Sequence, residues 1–371
     1  MRWTSSKLLQ NWCALLFGLA VALAVAEIVL RLYNPFGFRV KGHKIILPTF
    51  ERLAITNHRI KRLDNKIIHT RNSLGFRGEE PPRNFVDYLT LLFVGGSTTE
   101  CFYISDHKTW PHLLGERLKK SFNDVWVNNA GLEGHSTFGH NILMQDFIVR
   151  LKPKVVVFLV GVNDIGYGNA QPQPICLRDL SNTKSEVLSL MINLQNHLRT
   201  IKMKIGDWPL NLADSEEIEI PPKQQADIIQ RHRWQYLDGY QQRLTRLIET
   251  AQQEHMVPVL ITQPILVGFG IDGITGRDLA KVKLENFAGQ AIPYSNGELS
   301  WKIMELYNDV TRKVAIEKGV FLIDLAVKMP KDSRYFYDAV HFTNEGAERV
   351  SYIVKQDLTP FLKQHFPKYA D

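Results

Sequence analysis

Leu89-Thr90-Leu91-Leu92-Phe93-Val94-Gly95-Gly96-Ser97-Thr98-Thr99 is the stretch on which the fold turns. Its first six residues are short, apolar and β-prone, the composition of a strand covered on both faces and so of an inner, parallel sheet. Two glycines end the run and permit a tight turn with close backbone approach. Ser97 then stands at the carboxyl end of the sheet, where ligands bind in open α/β folds. Taken alone, the same residues equally describe a plain strand-to-helix turn with a capping hydroxyl.

Outward from this strand the chain repeats the pattern. Val125–Asn128, Val155–Val160, Val257–Thr262 and Val320–Leu325 are further buried-strand candidates. Amphipathic stretches at Trp110–Phe122, Gly139–Leu151, Tyr236–Glu254, Trp301–Lys318 and Thr343–Leu362 alternate with them. Strands alternating with helices predict an α/β domain, a three-layer α/β/α sandwich around a mainly parallel five-stranded sheet. Two segments are too long for ordinary connections, 166–231 and 269–299, and read as insertions. The first carries Gln171-Pro172-Gln173-Pro174 and a helical pattern at Ser185–Ile205 between loops. The domain therefore spans 85–371, with insertions at the usual places for lids and substrate walls.

Two segments precede it. Trp12 to Leu30 is apolar except for Glu27, about the 20 residues needed to span a hydrocarbon core. Arg2 and Lys7 come before it, and Ala24-Val25-Ala26 has a small-x-small cleavage pattern. Cleaved signal and retained anchor both fit. Apolar residues beyond Ala26, with Trp12 and Tyr33 at interface positions, favour one N-terminal transmembrane helix within residues 1–33. Lys and Arg flank both ends, so the charge rule leaves orientation open, and the signal-like layout points to an extracytoplasmic domain. Residues 34–84 read as a basic connector. Arg39 to Arg83 holds eleven Lys and Arg against four acids, a surplus equal to the net charge of +7 of the whole chain. Such a segment lies against anionic headgroups or stands as a solvated linker. It contains no nucleic-acid reader motif.

With 44% hydrophobic and 22% charged residues, the chain can bury a large core. Three Cys and twelve His are too scattered to organise it through disulfides or metal. Cys101 and Cys176 read as free thiols, though an oxidising compartment leaves their pairing open. His107, His112, His135 and His140 lack zinc-ligand spacing.

Three more segments fall after strands or before a helix. Asn128-Asn129-Ala130-Gly131-Leu132-Glu133-Gly134-His135-Ser136-Thr137 follows the second strand, with glycines that can present a backbone N–H at the sheet edge. Gly161-Val162-Asn163-Asp164 follows the third and puts an amide at the same edge. Asp338-Ala339-Val340-His341 precedes the last helix. Its three-residue spacing lets a carboxylate reach the imidazole Nδ1 and fix its tautomer, as a serine-hydrolase base requires.

Ser97, Gly134, Asn163 and His341, in this order and on these elements, resemble the four sequence blocks of the SGNH (GDSL-like) hydrolase superfamily. The resemblance covers about residues 85–360 outside the insertions, and the last block, Asp338 to Gly346, is the most specific. One departure is Gly96, which stands where the GDS motif has Asp. The resemblance implies the flavodoxin-like fold of that superfamily and a serine esterase with Ser97 as nucleophile, His341 as base and Asp338 as its orienter. The N–H groups of Ser97 and Gly134 and the Asn163 amide would form the oxyanion hole. No metal or organic cofactor is needed. Gly134-His135-Ser136 imitates half of a nucleophile elbow, but Phe138 stands where the closing glycine belongs, so Ser136 is dismissed. The expected substrate is an ester of a small acyl group on an envelope glycan or lipid. The competing reading is an O-acyltransferase that passes the acyl group to a sugar hydroxyl.

Overall fold

The computed structural model describes residues 3–33, 40–41, 44–168, 185–191, 194, 212–285 and 294–371 of the chain. The chain divides into two units: Met1–Ile46 with Leu177–Asp207, and Leu47–Cys176 with Trp208–Asp371.

The larger unit is built on a six-stranded sheet. In chain order, β1 (Arg52–Thr56) and β2 (Lys66–Thr70) form an antiparallel hairpin outside that sheet. β3 (Arg77–Gly78), β4 (Leu89–Gly95), β5 (Val125–Asn129), β6 (Val155–Leu159), β7 (Val257–Ile261) and β8 (Phe321–Ile323) form the sheet itself, in the order β8-β7-β6-β4-β5-β3. Every residue of β4 and β6 is buried, which is why both read as unbroken apolar runs and not as alternating ones. The five expected strands are all present and mutually parallel. The sixth, β3, is antiparallel to β5 and pairs through two residues, Arg77 with Asn129 and Gly78 with Asn128.

Helices cover both faces of this sheet. α1 (Trp3–Leu32) belongs to the smaller unit. The described helices of the sheet-bearing unit include, in chain order, α2 (Ser97–Glu100), α3 (Trp110–Leu118), α4 (Thr137–Leu143), α5 (Pro222–Gln235), α6 (Leu237–Gln253), α7 (Gly297–Lys318) and α8 (Asn344–His365). α3 packs on α8 and β5, whereas α6 packs on α4, α5, α7 and β7. Tyr240, Leu244, Leu247, Ile248 and Ala251 make the buried stripe of α6, a helical spacing of three and four. Thr343 caps α8 by accepting the Gly346 N–H at 3.0 Å, as Thr does at helix starts.

Residues 47–84 depart from the basic connector expected over 34–84. From Leu47 onward this stretch belongs to the sheet-bearing unit. Leu47, Ile60, Leu63, Ile67 and Phe76 are core residues, and Arg71 and Arg77 are buried among them. A count of charges cannot separate arginines that pair inside a core from arginines that face solvent.

In the insertions, α5 is a helix where the sequence suggested a loop. It buries little beyond Gln225, Ile228 and His232, so it shows almost no apolar period. The second insertion contains an antiparallel pair, Lys283–Glu285 with Tyr294–Asn296. Cys176 lies outside the described residues, and Cys101 is a buried free thiol that burial pushes up to about 12.

The smaller unit contains α1. Its stretch Gln10–Leu32 has a mean hydropathy of 2.6 and no buried residue, long and apolar enough to cross a membrane. Glu27, the carboxylate inside it, accepts hydrogen bonds from Arg31 Nε at 2.9 Å, Ser185 Oγ at 2.9 Å and the N–H groups of Glu186 and Val187 at 3.0 and 3.1 Å. The last two open the helix expected from Ser185, which is described at 186–191 and 194.

Candidate active site

β4 lies between β5 and β6, all three parallel. The segments that leave their carboxyl ends are thus neighbours on one edge, and they carry Ser97, Gly134 and Asn163. Ser97 is the first residue of α2, with Gly96 at the cap position. Gly134 has φ +70°, a left-handed conformation that an L side chain resists. Its loop is pinned on either side: the Leu132 N–H donates to Gly95 O and the His135 N–H to Leu132 O, both at 3.0 Å. Asn163 sits in the single turn after β6 and donates from Nδ2 to His135 O at 3.0 Å.

The last block reaches the same edge from the far end of the chain. Leu266, just past β7, donates its N–H to Ala339 O at 2.8 Å. That bond holds the loop between Asp338 and His341 against the sheet. His341 Nε2 lies 2.7 Å from Ser97 Oγ, and His341 Nδ1 lies 2.6 Å from Asp338 Oδ2. The other oxygen, Asp338 Oδ1, accepts the N–H groups of Val340 at 2.8 Å and His341 at 2.7 Å. Burial works to raise the Asp338 carboxyl, but the adjoining His341 imidazole and these hydrogen bonds outweigh it and hold the group below its ordinary value. It is a carboxylate at neutral pH, and Nδ1 carries the proton it needs. Nε2 is then an acceptor facing the serine hydroxyl. The Tyr337 ring stacks on the imidazole with centroids 5.5 Å apart and planes 9° from parallel.

Beside Ser97 and His341 is a small cleft walled by Cys101, Tyr103, Ile104, Tyr337 and Phe342. Ser97, Gly134, Asn163, Asp338 and His341 are all half-buried, reachable from solvent yet fixed by their neighbours. Ser136, in contrast, is buried at the cap of α4, and no base is bonded to it.

Sequence reasoning passed over the residues that hold this edge from behind. Arg77 Nη1 donates to the carbonyls of Glu100 and Cys101 at 2.5 and 2.7 Å, and Nη2 to that of Ile104 at 2.8 Å. These carbonyls belong to the end of α2 and the loop after it, where a helix leaves acceptors without intrahelical partners. Asn129 Nδ2 donates to Thr99 O at 2.7 Å, and its Oδ1 accepts the Gly131 N–H at 2.9 Å. The available signal was Asn72-Ser73-Leu74-Gly75-Phe76-Arg77-Gly78, a turn-rich stretch with an apolar residue inside it, unlike a solvated linker.

The sequence profile of the GDSL-like Lipase/Acylhydrolase family matches residues 93–349, well over half of the chain. The chain is also similar to an arylesterase of Vibrio mimicus, 22% identical over 156 residues that cover 40% of this chain and 78% of that one. Among solved structures it resembles TesA, with 17% identity, a TM-score of 0.42, and coverage of 74% of this chain and 99% of that chain. It likewise resembles the acetylxylan esterase Axe2 of Geobacillus stearothermophilus, with 14% identity, a TM-score of 0.42, and coverage of 72% and 93%. The chain belongs to the GDSL-like Lipase/Acylhydrolase family and is a serine hydrolase of carboxylic esters.

Proposed function

We propose that the protein is a membrane-anchored esterase that removes a small acyl group, of acetyl size, from an envelope glycan or lipid, with Ser97 as nucleophile. The observation that carries this reading is the relay from Asp338 through His341 to Ser97 beside a small cavity. The free space left between these walls is small, which favours a short acyl chain over a long one. The acyl chain lies there, and the alcohol part of the ester stays outside.

His341 Nε2 takes the hydroxyl proton as Ser97 Oγ attacks the ester carbonyl carbon, and the carbonyl π electrons move to oxygen. Asp338 keeps the imidazole in its tautomer and stabilises the imidazolium. Asn163 Nδ2 has two hydrogens. One goes to His135 O and the second meets the oxyanion, together with the N–H groups of Ser97 and Gly134. Collapse of the tetrahedral intermediate expels the alcohol with the proton from His341. Water, deprotonated by the same base, then attacks the acyl-enzyme and releases the acid. α1 anchors the enzyme, and the catalytic domain faces away from the cytoplasm.

Labelling by a fluorophosphonate probe on intact and on lysed cells tests nucleophile and topology together. The expected result is labelling of Ser97 in both, abolished by Ser97→Ala, with acetyl aryl esters turned over faster than octanoyl ones. Normal turnover by Ser97→Ala, or labelling confined to lysed cells, overturns the corresponding half of the reading.

A further inference from the structure

Glu100 closes the turn that Ser97 opens, and its side chain is wholly buried. A buried carboxylate is costly unless it is paired and hydrogen-bonded. Here its two oxygens serve two different segments. Oε1 accepts Arg71 Nη2 at 2.5 Å, and Oε2 accepts the backbone N–H of Glu133. Arg71, itself 4% exposed, is held in turn by Gly75 O at 3.0 Å and lies 3.6 Å from Glu51. His69 Nε2 stands 3.7 Å from Oε1, outside hydrogen-bond range, and burial keeps its imidazole below the ordinary value, hence neutral. The countercharge of Glu100 is therefore Arg71.

We propose that Glu100 and Arg71 are positioning residues for the oxyanion-binding edge, through which the segment before β4 sets the Gly134 loop against the Ser97 turn. The inference rests on the roles assigned above to Ser97 and Gly134. Gly134 lies between two tethered residues: Glu133 is tied to Glu100, and His135 to Leu132 and Asn163. Without the Glu133 tether the peptide between 133 and 134 can rotate, and the Gly134 N–H leaves the place where the oxyanion forms. An apolar pair of similar volume would fill the space as well, and buried ion pairs are often replaced that way without loss of stability. Such a pair cannot accept the Glu133 N–H. Arg71 lies outside residues 93–349, so the family-matched region does not complete its own site.

The test compares the full-length protein with Arg71→Met/Glu100→Leu and with Glu100→Met on 4-nitrophenyl acetate, recording kcat, KM and the thermal unfolding midpoint. The double variant is expected to unfold near the wild-type midpoint while kcat falls by about tenfold to a hundredfold and KM stays within about twofold. A purely structural pair would leave kcat unchanged in a folded double variant, and that result overturns the proposal. A kcat loss matched by an equal rise in KM overturns it too. Should the double variant not fold, Glu100→Met, of similar length and without an acceptor for the Glu133 N–H, decides the matter: a lowered kcat at constant KM supports the proposal, and a wild-type kcat removes it. Failure of the Ser97 assignment is separately visible, as turnover that survives Ser97→Ala.

Discussion

Gly96 and Asn163 share one small volume. A Cβ built on Gly96 would collide with Asn163 Nδ2 and come within 3.3 Å of His135 O, the carbonyl that holds that amide. The departure from the GDS motif is thus matched to the way Asn163 is seated. Gly96→Asp, which restores the motif, is expected to lower turnover of acetyl aryl esters, and steady-state kinetics beside the wild type checks this. An equal or higher kcat would show that Asn163 yields without cost. Asn163→Ala is expected to lower kcat about 10²–10³-fold with little change in KM, because its second N–H is proposed to meet charge that develops in the transition state. A rise in KM alone would make it a ground-state contact.

Behind the site, three elements meet at one buried carboxylate. Asp164, in the turn after β6, accepts the Thr137 N–H at 3.0 Å and the Arg243 guanidinium at 3.0 Å, so it joins α4 to α6. Arg243 also bonds Thr137 Oγ1 at 2.8 Å and lies over the Phe138 ring at 4.0 Å. Arg243→Met leaves Asp164 buried without its countercharge, and urea unfolding is expected to show a loss of about 3–5 kcal/mol. A loss under about 1 kcal/mol would place the pair among surface-like ion pairs. Such networks explain what was legible in the sequence and what was not. The strands were readable because a segment buried on both faces is apolar throughout, and the residues at their ends stood out against it. The Asp338 and His341 block was readable because its partners are three residues apart. Arg71 with Glu100, and Arg77 with Asp106, are each 29 residues apart and become neighbours through the pairing of β3 with β5. β3 itself is two residues long, too short for any period. α5 hides its helix in a polar sequence that buries one polar face against its neighbours.

Across the whole molecule, several aspartates are held below their ordinary values. Burial opposes this at Asp338, Asp272 and Asp324 and is outweighed in each case. His341 does so at Asp338, Ser333 and Thr275 at Asp272, and Arg312 and Thr262 at Asp324. Their folded-state values lie below the unfolded reference of about 3.9, so protons bind the unfolded chain first. The stability they contribute is complete above about pH 5 and is lost as the pH falls through the folded values. Buried His140 and His232, pushed down to about 4 by burial, add to this from about pH 6.5, where the unfolded chain takes up protons that the fold refuses. Urea midpoints measured from pH 7 to pH 3 should therefore fall throughout, and further below about pH 4. A midpoint that rises on acidification would contradict this.

β3 also decides how the sheet meets solvent. It occupies the flank of β5, and beyond it Trp126 Nε1 donates to Glu80 O at 3.1 Å while Asn128 Nδ2 donates to Glu79 O at 2.8 Å. Trp126 is 2% exposed under this cover. A chain begun at Tyr88 would open the outer edge of β5 at Asn128 and Asn129 and leave the Trp126 indole bare. An uncovered strand edge beside a bare aromatic ring can template pairing with another molecule. Such a shortened chain should self-associate, and light scattering at rising concentration would show it, whereas one begun at Leu47 stays monodisperse. A strand of two residues is thereby expected to act as a guard against aggregation.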